Sequence, residues 1–343
     1  MIMYIKRIFV SSFCWLLLLS VTYSQLPIHA PIYADPVYCG SCDPEIIYNS
    51  KLKLWMIFYT ARRPAKGMAA TVGNPIGVCI SDNLTDWSFV GYCRFDGEGG
   101  KPDSEQTRWA PGIIIEGDTA HMFVTFKDNA TPPWGTGGNI VHYVAPVDNM
   151  LNGWRKAEVS IGEDDCLDAC IVKLDTGRFR MYYVGGLNNS EVKGRKTIRY
   201  AESNDLYSWK TKGEVLGDVN DKAVHNIRYQ EAVYVFVYDG KFYMLTDPHR
   251  GLSTYTSEDG ITWVYHGQIM KTGSSSRILD YTQARHPSVI IYNRIPYIFY
   301  HVEPFRPDGI KGDRLEKHQR YSFLQMAELE CDEKGIRRKS DDR

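Results

Sequence analysis

Three carboxylates hold matching places in this chain. Asp43, Asp168 and Glu231 each open a run of apolar, strand-forming residues. Carboxylates brought close together raise one another's pKa, so one can keep its proton beside ionised neighbours at neutral pH. Such a pair suits cleavage of an acetal, in which the acid protonates the leaving oxygen and the base activates water. Glycosidic bonds need that asymmetry. For the three groups to meet, the strands they open must converge.

The elements that would bring them together are written five times. The copies begin at Asp43 (DPEIIYNSKLKLWMIFYT), Trp109 (WAPGIIIEGDTAHMFVTF), Asp168 (DACIVKLDTGRFRMYYVGG), Glu231 (EAVYVFVYDGKFYMLTD) and His286 (HPSVIIYNRIPYIFYHVE). Four copies continue to a polar turn ending in tryptophan: SDNLTDW to Trp87, VDNMLNGW to Trp154, SNDLYSW to Trp209 and SEDGITW to Trp263. Repetition in fixed order predicts radially arranged units. In RFRMYYV and KFYMLTD apolar and polar residues alternate with a period near two. Turn residues such as Asp239-Gly240 punctuate the strands. The expected fold is all-β, a five-bladed β-propeller with four-stranded antiparallel blades around a central axial pocket. The blades start near residues 43, 109, 168, 231 and 286, and the residues opening their innermost strands face the axis. A four-stranded propeller repeat needs only about 40–45 residues. The surplus falls at residues 62–74, 95–108, 127–139 and 304–320, which are expected to wall the pocket.

The charge is balanced, with 40 basic against 41 acidic residues, and gives no argument for nucleic acid or a membrane surface as partner. Aromatic residues make up 13%, including 23 tyrosines; they fit half-buried strands and also stacking on sugar rings. Lys6 and Arg7 precede an apolar run over residues 8–21, followed by the small residues Thr22 and Ser24. That pattern reads as an export signal over residues 1–24, cleaved before Gln25. It implies a secreted or periplasmic protein without a membrane anchor, an uncleaved anchor being the alternative; the repeats, running from Asp43 to about Glu330, make residues 25–343 a single domain. Seven cysteines follow the signal, an odd number, so at least one stands outside any intramolecular pairing. Cys39-Gly-Ser-Cys42 lacks the second such pair that a structural zinc would use.

The order DP, WAP, DA and then Glu resembles glycoside hydrolase family 43 and related five-bladed β-propeller glycosidases. The separations of 125 residues from Asp43 to Asp168 and 63 from Asp168 to Glu231 are similar too. So are the SxD…W turns and the closing LQMAELE. The resemblance covers nearly all of the chain after residue 24. It implies that Asp43 is the general base, Glu231 the general acid, and Asp168 the residue that orients Glu231 and tunes its pKa. An inverting pair stands about 6.5–9.5 Å apart. Trp109 would supply a hydrophobic wall. His286 would lie near the axis beside a structural calcium or water, with no cofactor required and no catalytic metal. Read from the residues alone, Arg62, Arg63, Arg285 and Arg320 either contact an anionic sugar or form salt bridges, which keeps uronic and sulfated glycans open. The implied activity is exo-acting hydrolysis of an oligosaccharide or polysaccharide, first of a β-xyloside, second of an α-L-arabinofuranoside.

The setting of Glu231, RYQEAVYVF, departs from the family pattern. It leaves Glu202 and Glu258 as other acids, and Glu231 itself as an ion-pair partner of Arg228. Asp247 in LTDPHRG reads as a turn or pocket rim. Two further readings stay open. One is a glycosidase of the anhydrogalactosidase kind, with His225, His286 or His301 as acid; the other is a carbohydrate-binding propeller without turnover. The RDP motif of invertase relatives is absent.

Overall fold

The computed structural model describes residues 26–132, 138–157, 165–185, 197–216, 230–308, 310 and 314–340. The segment read as an export signal, together with His225 and Arg228, lies outside them. Each repeat folds as one four-stranded antiparallel meander. Blade 1 is β1 (Ser41–Asn49), β2 (Leu54–Ala61), β3 (Ile76–Ser81) and β4 (Ser88–Tyr92). A short hairpin follows, β5 (Arg94–Phe95) and β6 (Glu98–Gly99). Blade 2 is β7 (Thr107–Glu116), β8 (Thr119–Lys127), β9 (Asn139–Pro146) and β10 (Arg155–Lys156). Blade 3 is β11 (Leu167–Lys173), β12 (Phe179–Gly185), β13 (Thr197–Ser203) and β14 (Trp209–Leu216). Blade 4 is β15 (Glu231–Tyr238), β16 (Lys241–Asp247), β17 (Leu252–Ser257) and β18 (Val264–Ile269). Blade 5 is β19 (Arg285–Tyr292), β20 (Ile295–Val302), β21 (Phe323–Asp332) and β22 (Gly335–Arg338). No helix among the described residues is long and apolar enough to cross a membrane.

The expected apolar–polar alternation does not hold in the second strands, because these strands bury both faces. All of β12 is buried. Its Met181 and Tyr183 pack toward Phe123 of blade 2, and its Tyr182 and Val184 toward Val235 and Met244 of blade 4. Likewise, Met56 and Phe58 face blade 2, while Ile57 and Tyr59 face blade 5. A two-residue side-chain period with apolar groups on both sides builds a core at each interface between blades. The ring closes where β1 meets blade 5. There Ile32 and Tyr33 exchange backbone hydrogen bonds with Leu324, and buried Asp35 accepts from the hydroxyls of Tyr59 (2.8 Å) and Tyr92 (3.0 Å).

Three of the four polar turns before the tryptophans have a common construction. Ser81, Ser203 and Ser257 accept from the backbone N–H three residues on, while Asn83, Asp205 and Asp259 cap the following N–H groups. The residue that receives the serine bond is left-handed in each, at Leu84, Leu206 and Gly260. Only Gly260 adopts that φ without a steric cost.

Each innermost strand carries a β-bulge near its start, where one residue takes a positive φ: Asp43, Ala110, Asp168, Ala232 and His286. These are the equivalent positions of the five blades. Trp109 and Glu231, which the sequence repeats align with Asp43, stand one residue earlier, level with Cys42, Leu167 and Arg285. A bulge lifts its residue out of the hydrogen-bond ladder and re-aims the side chain. Side chains of the neighbouring blade catch the N–H groups involved: Thr60 binds Ala110, Thr125 binds Asp168, and His301 binds Asp43. The corresponding blade 3 residue is Val184, which has no acceptor, and Asp168 itself binds the Ala232 N–H instead (2.9 Å).

Below the bulges Glu45 ties three blades together. It accepts from the Ile113 N–H (3.2 Å) and the Ser288 hydroxyl (3.1 Å) and is buried. Burial pushes its carboxyl up to about 8 against the pull of those two bonds. The folded protein therefore keeps this proton up to about pH 8, whereas the unfolded chain releases it near its ordinary value of 4.5. Between those pH values the unfolded state binds fewer protons, so stability falls as pH rises. Glu45→Gln mimics the protonated form. Its expected stabilisation is near zero at pH 4.5 and grows to roughly a few kcal/mol by pH 8, measurable by denaturant unfolding at both pH values. An equal effect at both would show that Glu45 does not titrate in this window.

Candidate active site

The five bulges narrow the axis to a gap of about 30 Å³, lined by Asp43, Ala110, Asp168, Ala232 and His286 with their neighbours. Above this floor opens a cavity of about 600 Å³. Asp43, Asp168, Glu231, Trp109, His286, Arg62 and Arg285 all line it. Residues 62–74 add Met68 and Thr71, residues 127–139 add Pro132, and residues 304–320 add Arg306, Leu315 and Arg320. The fourth insertion, residues 95–108, was expected to wall the pocket, yet none of the described lining residues comes from it. It braces the first insertion instead: Asp103 accepts from Arg63 (3.0 Å) and Ser104 N–H donates to the Gly73 carbonyl (3.0 Å). Arg63 is thereby held outside the cavity.

Asp43 is buried, with Oδ1 3.3 Å from His286 Nδ1 and 4.0 Å from Arg62 Nη2. Burial works to raise its pKa, but the charges of His286, Arg62 and His301 outweigh it and hold the carboxyl below its ordinary value. Asp43 is therefore ionised at neutral pH. His301 accepts the Asp43 N–H at Nδ1 (3.1 Å), so its proton sits on Nε2. Burial holds this imidazole well below its ordinary pKa, and it does not line the cavity. That arrangement gives it no route to act as an acid on a bound substrate.

Glu231 meets a residue that the sequence repeats did not single out. His249 Nε2 lies 3.1 Å from Glu231 Oε2, and Arg285 Nη1 lies 3.0 Å from His249 Nδ1. A guanidinium can only donate, so His249 Nδ1 must accept and its proton sits on Nε2, facing Glu231. The arginine cation at Nδ1 opposes a second proton on the ring, and Glu231 faces the N–H of Nε2. Asp247 holds this geometry from the turn, because its Oδ1 accepts the His249 N–H (2.6 Å). Asp168 acts through the backbone, fixing the Ala232 N–H beside Glu231. Glu202 and Glu258 are engaged elsewhere, with Arg180 (2.8 Å) and Lys241 (3.0 Å).

Glu303 and Arg306 were also missed. Buried Glu303 collects three arginines: Arg62 Nη1 at 3.2 Å, Arg306 Nη1 at 3.0 Å and Arg285 Nε at 3.5 Å. Burial would raise its pKa, but the charges of Arg285, Arg62 and Arg306 hold it at about 2. The one signal in the sequence is a charged residue closing an otherwise apolar strand, FYHVEP.

Around His286 the protein offers an ion the Asp43 carboxylate, the imidazoles of His286 and His301, and the Cys42 thiol. Burial raises the thiol's pKa, and it donates to the Ser322 hydroxyl (3.0 Å). Calcium takes six to eight oxygen ligands, so this donor set does not by itself form a calcium site. All seven cysteines among the described residues are free thiols.

Fold and cavity together define a five-bladed propeller whose axial pocket brings together Asp43, Asp168 and Glu231 from three blades. The chain shares this fold with glycoside hydrolases of family 43. It is similar to a thermostable family-43 glycoside hydrolase, with a TM-score of 0.65 and 20% identity over 91% of this chain and 97% of that one. It is also similar to a family-43 β-xylosidase/α-arabinofuranosidase from a compost microbial metagenome, in complex with xylotriose (TM-score 0.65, 16% identity, 91% and 96% covered). A third is an α-L-arabinofuranosidase from Lactobacillus brevis (TM-score 0.61, 15% identity, 90% and 96% covered). No family model matches the chain, and no curated protein matches it.

Proposed function

We propose that this protein is an exo-acting, inverting glycoside hydrolase. The observation that carries the reading is the convergence of Asp43, Asp168 and Glu231, from three blades, on one cavity whose floor narrows to a gap of about 30 Å³. A cavity of that form suits a chain end. Asp43 takes a proton from water as the water oxygen attacks the anomeric carbon. The bond to the leaving oxygen breaks, and Glu231 delivers its proton there. Asp168 keeps the Glu231 strand in place, and His249 with Arg285 keeps the exchangeable proton on the carboxyl. Trp109 and Met68 give the sugar ring an apolar wall.

The structural relatives support a pentoside as substrate, a β-xyloside before an α-L-arabinofuranoside. Incubation with a panel of aryl glycosides and xylo- and arabino-oligosaccharides tests this. Release of one terminal sugar, with NMR showing the inverted anomer first, is the expected result. Retention of configuration would reject the assigned roles of Asp43 and Glu231. Binding without turnover across the panel would indicate a carbohydrate-binding propeller.

A further inference from the structure

The cavity is electrically divided. Among the described lining residues the guanidinium groups, Arg62, Arg285, Arg306 and Arg320, come from blades 1 and 5 and their insertions, whereas Asp168 and Glu231 stand on blades 3 and 4. Among the described residues, the lining carboxylates on the arginine side are Asp43 and Glu303. Glu303 must offset three cations, and Arg62 divides itself between Glu303 and Asp43. One well-placed arginine would satisfy a buried carboxylate in both charge and hydrogen bonding. Arg306 and Arg320 lie close enough for their like charges to oppose each other, and burial together with that repulsion holds Arg320 below its ordinary value. Arg306 keeps 31% of its side chain exposed and so can meet a ligand in the cavity. A neutral ring filling this space would strip water from the cations and return no charge.

We propose that the sugar bound in this cavity carries an anionic group, a carboxylate or a sulfate ester, held by Arg306 on the arginine side. This rests on the glycosidase reading and names its substrate class. It is compatible with a xylose-like ring, because a β-glucuronide differs from a β-xyloside only in bearing a carboxylate at C5. The planar, permanently charged guanidinium fork matches either anion.

Matched pairs of aryl glycosides test the proposal: β-xyloside beside β-glucuronide, and β-galactoside beside its 6-sulfate. The expected result is a higher kcat/KM for the acidic member of one pair, which also tells carboxylate from sulfate. In Arg306→Gln the acidic-to-neutral ratio should fall roughly 10- to 100-fold, the range for losing a hydrogen bond to a charged group. Arg306→Lys should restore part of it. A preference for the neutral members, or a ratio unchanged in Arg306→Gln, overturns the anionic substrate and leaves the glycosidase reading standing. If nothing in either pair is hydrolysed, binding of glucuronate and galactose 6-sulfate is measured by calorimetry. Binding that Arg306→Gln abolishes keeps the anion site while the enzyme reading fails; no binding overturns the anion site as well.

Discussion

Glu231→Gln should lower kcat for an unactivated glycoside by roughly 10³-fold, the middle of the range for losing a general acid. The amide still accepts from His249 Nε2, so the turn and the cavity wall keep their shape. What disappears is the proton for the leaving oxygen. The loss should therefore shrink as the leaving group becomes more acidic, and a dinitrophenyl glycoside should be cleaved at close to the wild-type rate. A uniform loss across leaving groups would mean that Glu231 is not the acid. Attention would then move to His249, whose Nε2 faces Glu231.

Asp43→Asn should show the opposite pattern. Activation of water is needed whatever leaves, so the expected loss of roughly 10³- to 10⁴-fold applies equally to activated and unactivated substrates. The backbone N–H of residue 43 still reaches His301, and the side chain keeps one oxygen facing His286 and Arg62. Circular dichroism and unfolding curves of the variant would separate a chemical loss from a collapsed axis. Together the two substitutions assign roles by leaving-group dependence and need no structure of a complex. Recovery of Asp43→Asn activity toward a dinitrophenyl substrate alone would reverse the assignment.

Much of the framework is legible in the sequence because a propeller repeats its solution. Five apolar strand pairs, each opened by a short signature, are enough to count blades and to place Asp43, Asp168 and His286 at the axis. The same repetition hid a detail. Two adjacent positions matter in each innermost strand: the bulged residue and the one before it. Asp43 holds the first and Glu231 the second, and a motif aligned on polar residues merges them. The bulges carry no glycine, so nothing in composition marks the extra residue. His249, Glu303 and Arg306 were less accessible still. They come from a turn and from the ends of other strands, where the two-residue period carries no information about direction. Asp247-Pro248 was readable as a turn, but not what the turn presents. Glu45 illustrates a further gap: its strand position reads as ordinary, and only the convergence of three blades makes it a buried acid.

The repeated bulge separates the architecture of the axis from its chemistry. Five backbones hold the same left-handed residue at the same depth, with Asp, Ala, Asp, Ala and His in turn. The blade supplies the scaffold and a single codon supplies the functional group. Ala110 and Ala232 show that the position needs no polar side chain to form. Selection can therefore redistribute acids, bases and small residues around the ring while the inter-blade cores stay untouched, a form of modularity in which the catalytic repertoire changes faster than the fold.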